Sequence, residues 1–315
     1  MDSKCLFVIS FAKTKIKFAL LLFICITNPI FVLKQNFTLF ASYRRLKQSD
    51  IIIESDYNSM SRTAVKMFIS ELKAVLQKKD KAVVMLPTGG TYLSKGGFYQ
   101  ILTTEYRNAI DWSRVIFFNL DEYIGVSPKD KRSYNYQLME AVLEPLGVPL
   151  ENIHLFDGSI LNVKEECAKR EQWIKKLGGI DITLLGIGRN GHIGFNEPGS
   201  LRNSGTRVVD LSLETKYQNM EYFKDLGGGD LLSGIDSVPD QAITVGIATI
   251  LSSREIFLLA SGQSKAEAVK NMLNEENPLL NPASFLIINS PGVCFIFDDD
   301  AFSLFHESQL QGGPF

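Results

Sequence analysis

The stretch Ala82–Thr91 (AVVMLPTGGT) decides how this chain is read. Ala82–Pro87 is apolar without interruption, as in a strand covered on both faces. It stops at Thr88-Gly89-Gly90-Thr91, where glycine lets the backbone turn sharply. The same arrangement recurs outward from it. Val115–Phe118 (VIFF) runs into Asn119-Leu120-Asp121-Glu122, and Ile182–Ile187 (ITLLGI) into Gly188-Arg189-Asn190-Gly191-His192. The stretch Ala242–Leu251 comes next. Glu255–Ala260 (EIFLLA) then ends in Ser261-Gly262-Gln263-Ser264-Lys265, which opens a helix. Ile51-Ile52-Ile53 is a short β-branched run near the start, and Val293–Phe297 reads as a last strand. Between strands, Val65, Phe68, Ile69, Leu72, Val75 and Leu76 recur at helical spacing, and a further helix is predicted around Tyr134–Leu143. Strands alternating with helices predict an α/β fold: a doubly wound, mostly parallel sheet with helices on both faces, in a single domain.

Composition is that of an ordinary globular chain. Of 315 residues, 45% are hydrophobic and 22% charged, with a formal net charge of −2. That balance gives no electrostatic footprint for nucleic acid and no polybasic membrane patch, and it excludes an intrinsically disordered chain. Cys5, Cys25, Cys167 and Cys294 are scattered, without a Cys-x-x-Cys pair, and the three histidines are His154, His192 and His306. No disulfide framework or Cys/His zinc site is read from them, and a reducing compartment is expected. The exception is the N-terminus. Phe18–Leu33 (FALLLFICITNPIFVL) is a short apolar run with a proline, preceded by Lys13, Lys15 and Lys17. It reads as a signal or anchor segment, or else as a loosely packed extension. Residues 1–48 are therefore set apart as an N-terminal hydrophobic extension, 49–305 as the folded domain and 306–315 as a C-terminal tail. A membrane partner enters only if residues 1–48 act as an anchor.

The polar clusters all fall where apolar strands end, and in open parallel sheets ligands bind beyond the carboxyl ends of the strands. Thr88-Gly89-Gly90-Thr91 offers backbone N–H groups and hydroxyls to an anion; the alternative is a plain turn. Asp121 and Glu122 stand where a carboxylate can act as a general base; the alternative is a capping acid. Gly188–Pro198 (GRNGHIGFNEP) holds His192 with Asn190 before it and Glu197 after it, a pattern suited to proton transfer near neutral pH. A structural histidine in a glycine turn is its alternative. Lys265, at a predicted helix start, can meet a phosphate or can be an exposed lysine.

Together these loops resemble the glucosamine-6-phosphate deaminase (isomerase) family. The stretches that carry the resemblance are LPTGGT (86–91), FNLDEY (118–123), LGIGRNGHIGFNEPG (185–199), TRVVDL (206–211), AITVGIATIL (242–251), LLASGQSKA (258–266) and PASFL (282–286). The likeness covers about residues 50–300. It implies a doubly wound α/β enzyme, placed in the cytoplasm, that converts glucosamine 6-phosphate and water to fructose 6-phosphate and ammonia without metal or organic cofactor. By the resemblance His192 opens the sugar ring with Asn190 and Glu197 in support, and Asp121 moves a proton between C2 and C1. Thr88, Gly89, Gly90, Thr91, Glu122 and Lys265 are then the substrate-binding set.

The sequence also departs from that pattern. Asparagine stands at 190 where many members carry aspartate. Glu221 stands where an arginine usually meets the phosphate, with Lys216 or Lys224 as candidate replacements, and Gly205 replaces another arginine. Ser200 and Arg207 match an allosteric patch, but Leu201 and Val209 do not, so allostery is not expected. Gly227–Gly234 reads as an inserted surface loop. A lactone hydrolase of the same fold, a 6-phosphogluconolactonase, and a non-catalytic sugar-phosphate binder are the alternatives. The Asp121 base separates the first of these from the deaminase, and Glu221 motivates the second.

Overall fold

A computed structural model of the protein describes residues 50–226, 234–274, 277–289 and 292–305, apart from the side chains of residues 221, 222 and 289. The extension, residues 227–233 of the glycine-rich insertion and the C-terminal tail lie outside the described residues. The strands are β1 (Ile51–Glu54), β2 (Ala82–Leu86), β3 (Val115–Asn119), β4 (Asp121–Tyr123), β5 (Ile153–His154), β6 (Ile182–Leu185), β7 (Arg207–Asp210), β8 (Gln241–Thr244), β9 (Glu255–Ala260) and β10 (Val293–Asp298). Seven of them form one sheet in the order β1-β10-β9-β6-β2-β3-β5, and every pair in it is parallel.

All five residues of β2 are at most 1% exposed, so both faces of this central strand are covered. Successive side chains of a strand point to opposite faces. Val83 and Met85 accordingly join one core with Leu185, Leu258 and Phe297, while Ala82, Val84 and Leu86 join another with Phe68, Leu72 and Phe117. The helix Tyr57–Leu76 covers the second face, burying Met60, Ala64, Val65, Phe68, Ile69 and Leu72 along one stripe. Its first turn is capped by Asp56, whose carboxylate accepts from the Ser59 N–H at 2.8 Å. The helix expected around Tyr134–Leu143 is present as Tyr134–Leu138, continued by a π-turn over Met139–Leu143.

One part was not expected. β4, β8 and β7 make a separate antiparallel sheet, with Asp121 opposite Thr244 and Arg207 opposite the same threonine. Leu120 is where the chain leaves one sheet for the other: its N–H donates to Leu86 O in β2, and its carbonyl accepts from Val245 N. The small sheet therefore begins directly at the end of β3 and carries Asp121 with it.

At the opposite end of the sheet, Asp181 is fully buried. Its carboxylate accepts from Lys79 Nζ at 2.6 Å, from the Val83 N–H at 2.8 Å and from Arg254 Nη1. It thus ties the entries of β2, β6 and β9 together. Asp181→Ala would leave that N–H and two cations without their acceptor, although both cations can still reach water. The expected loss is about 2–4 kcal/mol in urea unfolding, with the denaturant slope unchanged.

Candidate active site

Four turns meet at one rim of the large sheet and enclose a cavity of about 590 Å³. The first follows β2. Gly89 has φ 99°, open to glycine at little cost, and this lets the helix Gly90–Leu93 begin at once. The N–H groups of a helix's first turn have no intrahelical acceptor, so this turn presents donors to the cavity that Thr88, Gly89, Gly90 and Thr91 line.

The second turn carries Asp121, which is 7% exposed and lines the cavity. Its backbone carbonyl accepts from Asn119 Nδ2 at 2.8 Å. Opposite it is Gly194, where a Cβ would lie 3.0 Å from Thr244 Oγ1 and 3.4 Å from Asp121 Oδ2. Only glycine leaves that approach open at φ 57°. Burial, with the neighbouring Glu122 carboxylate second, pushes Asp121 up to about 8.

Glu122 points elsewhere. Its carboxylate is completely buried and accepts from Ser133 Oγ (2.7 Å) and from the N–H groups of Tyr123 (2.9 Å), Tyr134 (3.0 Å) and Asn135 (2.8 Å). Burial raises it to about 7 against these donors, which pull the other way. The expected substrate contact is not brought to the cavity. Glu122 instead satisfies the start of the helix Tyr134–Leu138, from which Tyr134 reaches the cavity wall.

The third turn is the tightest. Gly188 N–H donates to His192 O at 2.9 Å, and the imidazole lies against Gly188 so closely that a Cβ there would fall 2.2–2.4 Å from three ring atoms. Behind the ring, Asn190 and Glu197 form a relay out of contact with the cavity. Glu197 as a carboxylate can only accept, so it takes Asn190 Nδ2–H at 2.7 Å. That fixes the amide, turning Asn190 Oδ1 toward His192 Nδ1 at 2.8 Å. A carbonyl oxygen can only accept, so Nδ1 carries the proton and Nε2 keeps its lone pair. Glu197 Oε2 stands 3.7 Å from Nδ1, too far for a direct bond. Burial lowers the basicity of His192, the Glu197 charge raises it and Lys265 lowers it again.

The fourth turn follows β9. Buried Asp298, at the end of β10, accepts from Ser261 Oγ and from the Gly262 N–H at 2.9 Å, which fixes the turn that delivers Lys265. Burial, and then the neighbouring charge of Arg189, depress Lys265 to about 8. Neither cation has a carboxylate within 4.0 Å among the described residues. Two unpaired cations on one cavity wall make a site for an anion.

Sequence reasoning passed over Arg189, although it stands inside the GRNGH motif, and over Gln218 and Asn219 of the helix Leu213–Asp225, which also line the cavity. The candidate replacements for the missing arginine do not line it: Lys216 is buried against Asp240 at 2.5 Å, and Lys224 is exposed. Glu221 belongs to the same helix, and its side chain lies outside those described. Gly205 borders a separate shallow cleft beside Glu171 and Lys175. Arg207 is held by Asn196 Oδ1 and Ser200 Oγ at 2.8 and 3.0 Å.

Residues 55–211 match the family model of glucosamine-6-phosphate isomerases and 6-phosphogluconolactonases, which gives the class of protein. The chain is 39% identical over 262 residues to a glucosamine-6-phosphate deaminase of Thermoanaerobacter pseudethanolicus, covering 83% of this chain and 97% of that one. A solved monomeric glucosamine-6-phosphate deaminase superposes with a TM-score of 0.71 at 36% identity, over 82% of this chain and all of the other. The 6-phosphogluconolactonase of Thermotoga maritima shares the fold, with a TM-score of 0.60 at 20% identity over 79% of this chain and 98% of its own. The chain belongs to the glucosamine-6-phosphate deaminase family.

The Gly188–His192 contact is open to a direct check. Gly188→Ala is expected to displace the imidazole, shifting the His192 ring resonances in NMR and lowering catalysis at least ~100-fold, since small misplacements of a reacting group cost that much. The Tm should fall only modestly.

Proposed function

We propose that this protein is a glucosamine-6-phosphate deaminase, an aldose–ketose isomerase that releases ammonia from its substrate and leaves fructose 6-phosphate. One observation carries the reading: a histidine whose Nε2 keeps its lone pair and a buried carboxylate, from different loops, face one cavity whose wall also holds Arg189 and Lys265, neither with a carboxylate within 4.0 Å among the described residues. The near-full-length similarity to deaminases supports it. The family model also names 6-phosphogluconolactonases, but the solved lactonase of Thermotoga maritima is only 20% identical, and lactone hydrolysis gives Asp121 no carbon proton to remove.

In this reading the phosphate lies against the Thr88–Thr91 turn, Lys265 and Arg189. His192 Nε2 takes the proton of the anomeric hydroxyl and a proton is returned to the ring oxygen, opening the ring to the aldehyde. Ionised Asp121 then removes the C2 proton as O1 takes up a proton, giving a 1,2-enolamine, and delivers it to C1 as the amino nitrogen gives one up. The resulting imine at C2 adds water and expels ammonia, leaving the ketone. Proton transfer needs only positioned groups, and general bases of this kind contribute about 10²–10⁴-fold. Asn190 and Glu197 hold His192 and do not touch substrate. The reaction is read as cytoplasmic, since the free thiols Cys167 and Cys294 suit a reducing compartment. No described helix is long and apolar enough to cross a membrane.

Incubation with glucosamine 6-phosphate, with ammonia and fructose 6-phosphate measured, is the deciding assay; a cavity that binds the sugar and releases neither product would make this a binding protein. Asp121→Asn is expected to lower ammonia release and C2 proton exchange at least ~100-fold while leaving phosphate binding nearly intact. Asp121 works as a base only when ionised. Because its raised value of about 8 lies above neutrality, kcat/KM should climb as pH rises from 6 and level off beyond that value.

Arg189→Ala should raise KM about tenfold and change kcat little, since a phosphate contact is made equally in ground and transition states. An unchanged KM would remove Arg189 from the phosphate site.

A further inference from the structure

Glu197 is a largely buried carboxylate with two oxygens and two neutral partners. Asn190 Nδ2 donates to Oε2 at 2.7 Å, and Thr215 Oγ1 donates to Oε1 at 2.5 Å. Thr215 is wholly buried and comes from a different element, the first turn of the helix Leu213–Asp225. One turn further on, Gln218 and Asn219 line the cavity, and Asn219 Nδ2 donates back to Thr215 O at 2.9 Å. Lys216 Nζ binds Asp240 and Phe223 stacks edge-on against Tyr123, so the helix is held near both ends. The hydroxyl of Thr215 is thus the point at which this cavity-lining helix touches the relay behind His192.

We propose that Thr215 is a positioning residue for His192: by holding Oε1 it keeps Glu197 turned to Asn190 rather than to the imidazole, and so sets the basicity of His192. The inference rests on the reading of His192 as the ring-opening group. The physics follows from the two oxygens. With the hydroxyl gone, an ionised Glu197 keeps two donors within reach, Asn190 Nδ2 and the His192 Nδ1–H that is now 3.7 Å away. A buried carboxylate moves toward the donor that gains most from its charge, and a protonated imidazole gains more than an amide. His192 then binds its proton more tightly. The other charged groups around the ring are Lys265, Arg189 and Asp121, which line the same cavity from their own turns and are untouched by the change.

The chain has three histidines, so imidazole titration by NMR is tractable. In Thr215→Val, which keeps the side-chain shape and removes the donor, the His192 midpoint should rise by about 0.5 unit or more. KM should stay within about twofold, because Thr215 does not line the cavity. Thr215→Ser should titrate like the parent. On a Glu197→Gln background the Val substitution should no longer move His192, because there is no charge left to turn. Should the Val variant fail to fold, Thr215→Ala carries the same expectation. An unchanged or lowered His192 midpoint, or a rise that persists without the Glu197 charge, overturns the proposal. The titration needs no substrate, so a chain inactive on glucosamine 6-phosphate would sink the functional reading and still leave Thr215 decided on its own.

Discussion

The strands at the middle of the large sheet are covered on both faces, and that single constraint governs where everything polar goes. β2 has no solvent-facing side along its length, so neither Val84 nor Met85 can be exchanged for a working group without burying it unpaired. Polar residues are admitted only where the ladder ends. At one end Asp181 closes the sheet with its own cations; at the other, four turns open outward and share one cavity. The chemistry is therefore a property of the sheet's direction: parallel pairing brings all the carboxyl ends to the same side, and turns far apart in sequence become neighbours.

Within that frame each titratable side chain of the cavity is set by a neighbouring residue. Gly188 provides the surface on which the imidazole lies, Asn190 decides which nitrogen carries the proton, Gly194 admits the Asp121 carboxylate and Asp298 ties down the turn of Lys265. The two carboxylates of Asp121-Glu122 show how far neighbouring positions can diverge. In β4 adjacent side chains point to opposite faces, so Asp121 meets the cavity while Glu122 is surrounded by hydroxyl and backbone donors. Both are lifted by burial, but only the first lines the cavity.

The large sheet was legible because apolar runs such as Ala82–Leu86 and Glu255–Ala260 are long and end in glycine turns. The small sheet was not. β4, β7 and β8 are three or four residues each, of mixed polarity, and they exist because the chain is handed from β3 at Leu120, a tertiary circumstance with no local signature. β5, at two residues, escaped for the same reason. At the site, the motif placed His192, Asp121 and Lys265 on one rim but gave no account of distance. It could not show that Glu122 would be claimed by a helix start eleven residues on, or that Glu197 would reach His192 only through an amide. Thr215 carried no signal at all, because its partner is eighteen positions away on another element.

The turn from Gly188 to His192 leaves little room for change. Position 188 has no space for a side chain beside the imidazole. A Cβ at 191, where φ is 82°, would meet Asn281 Oδ1 at 2.1 Å. Asn190 is held by what it must offer to each neighbour, and His192 by its chemistry. Position 189 alone is exposed; its side chain lines the cavity and makes no hydrogen bond or ion pair among the described residues. Change in this turn is thus channelled into a single cavity-lining residue, so the charge of the cavity wall can alter by one substitution there without disturbing the packing of the imidazole beside it.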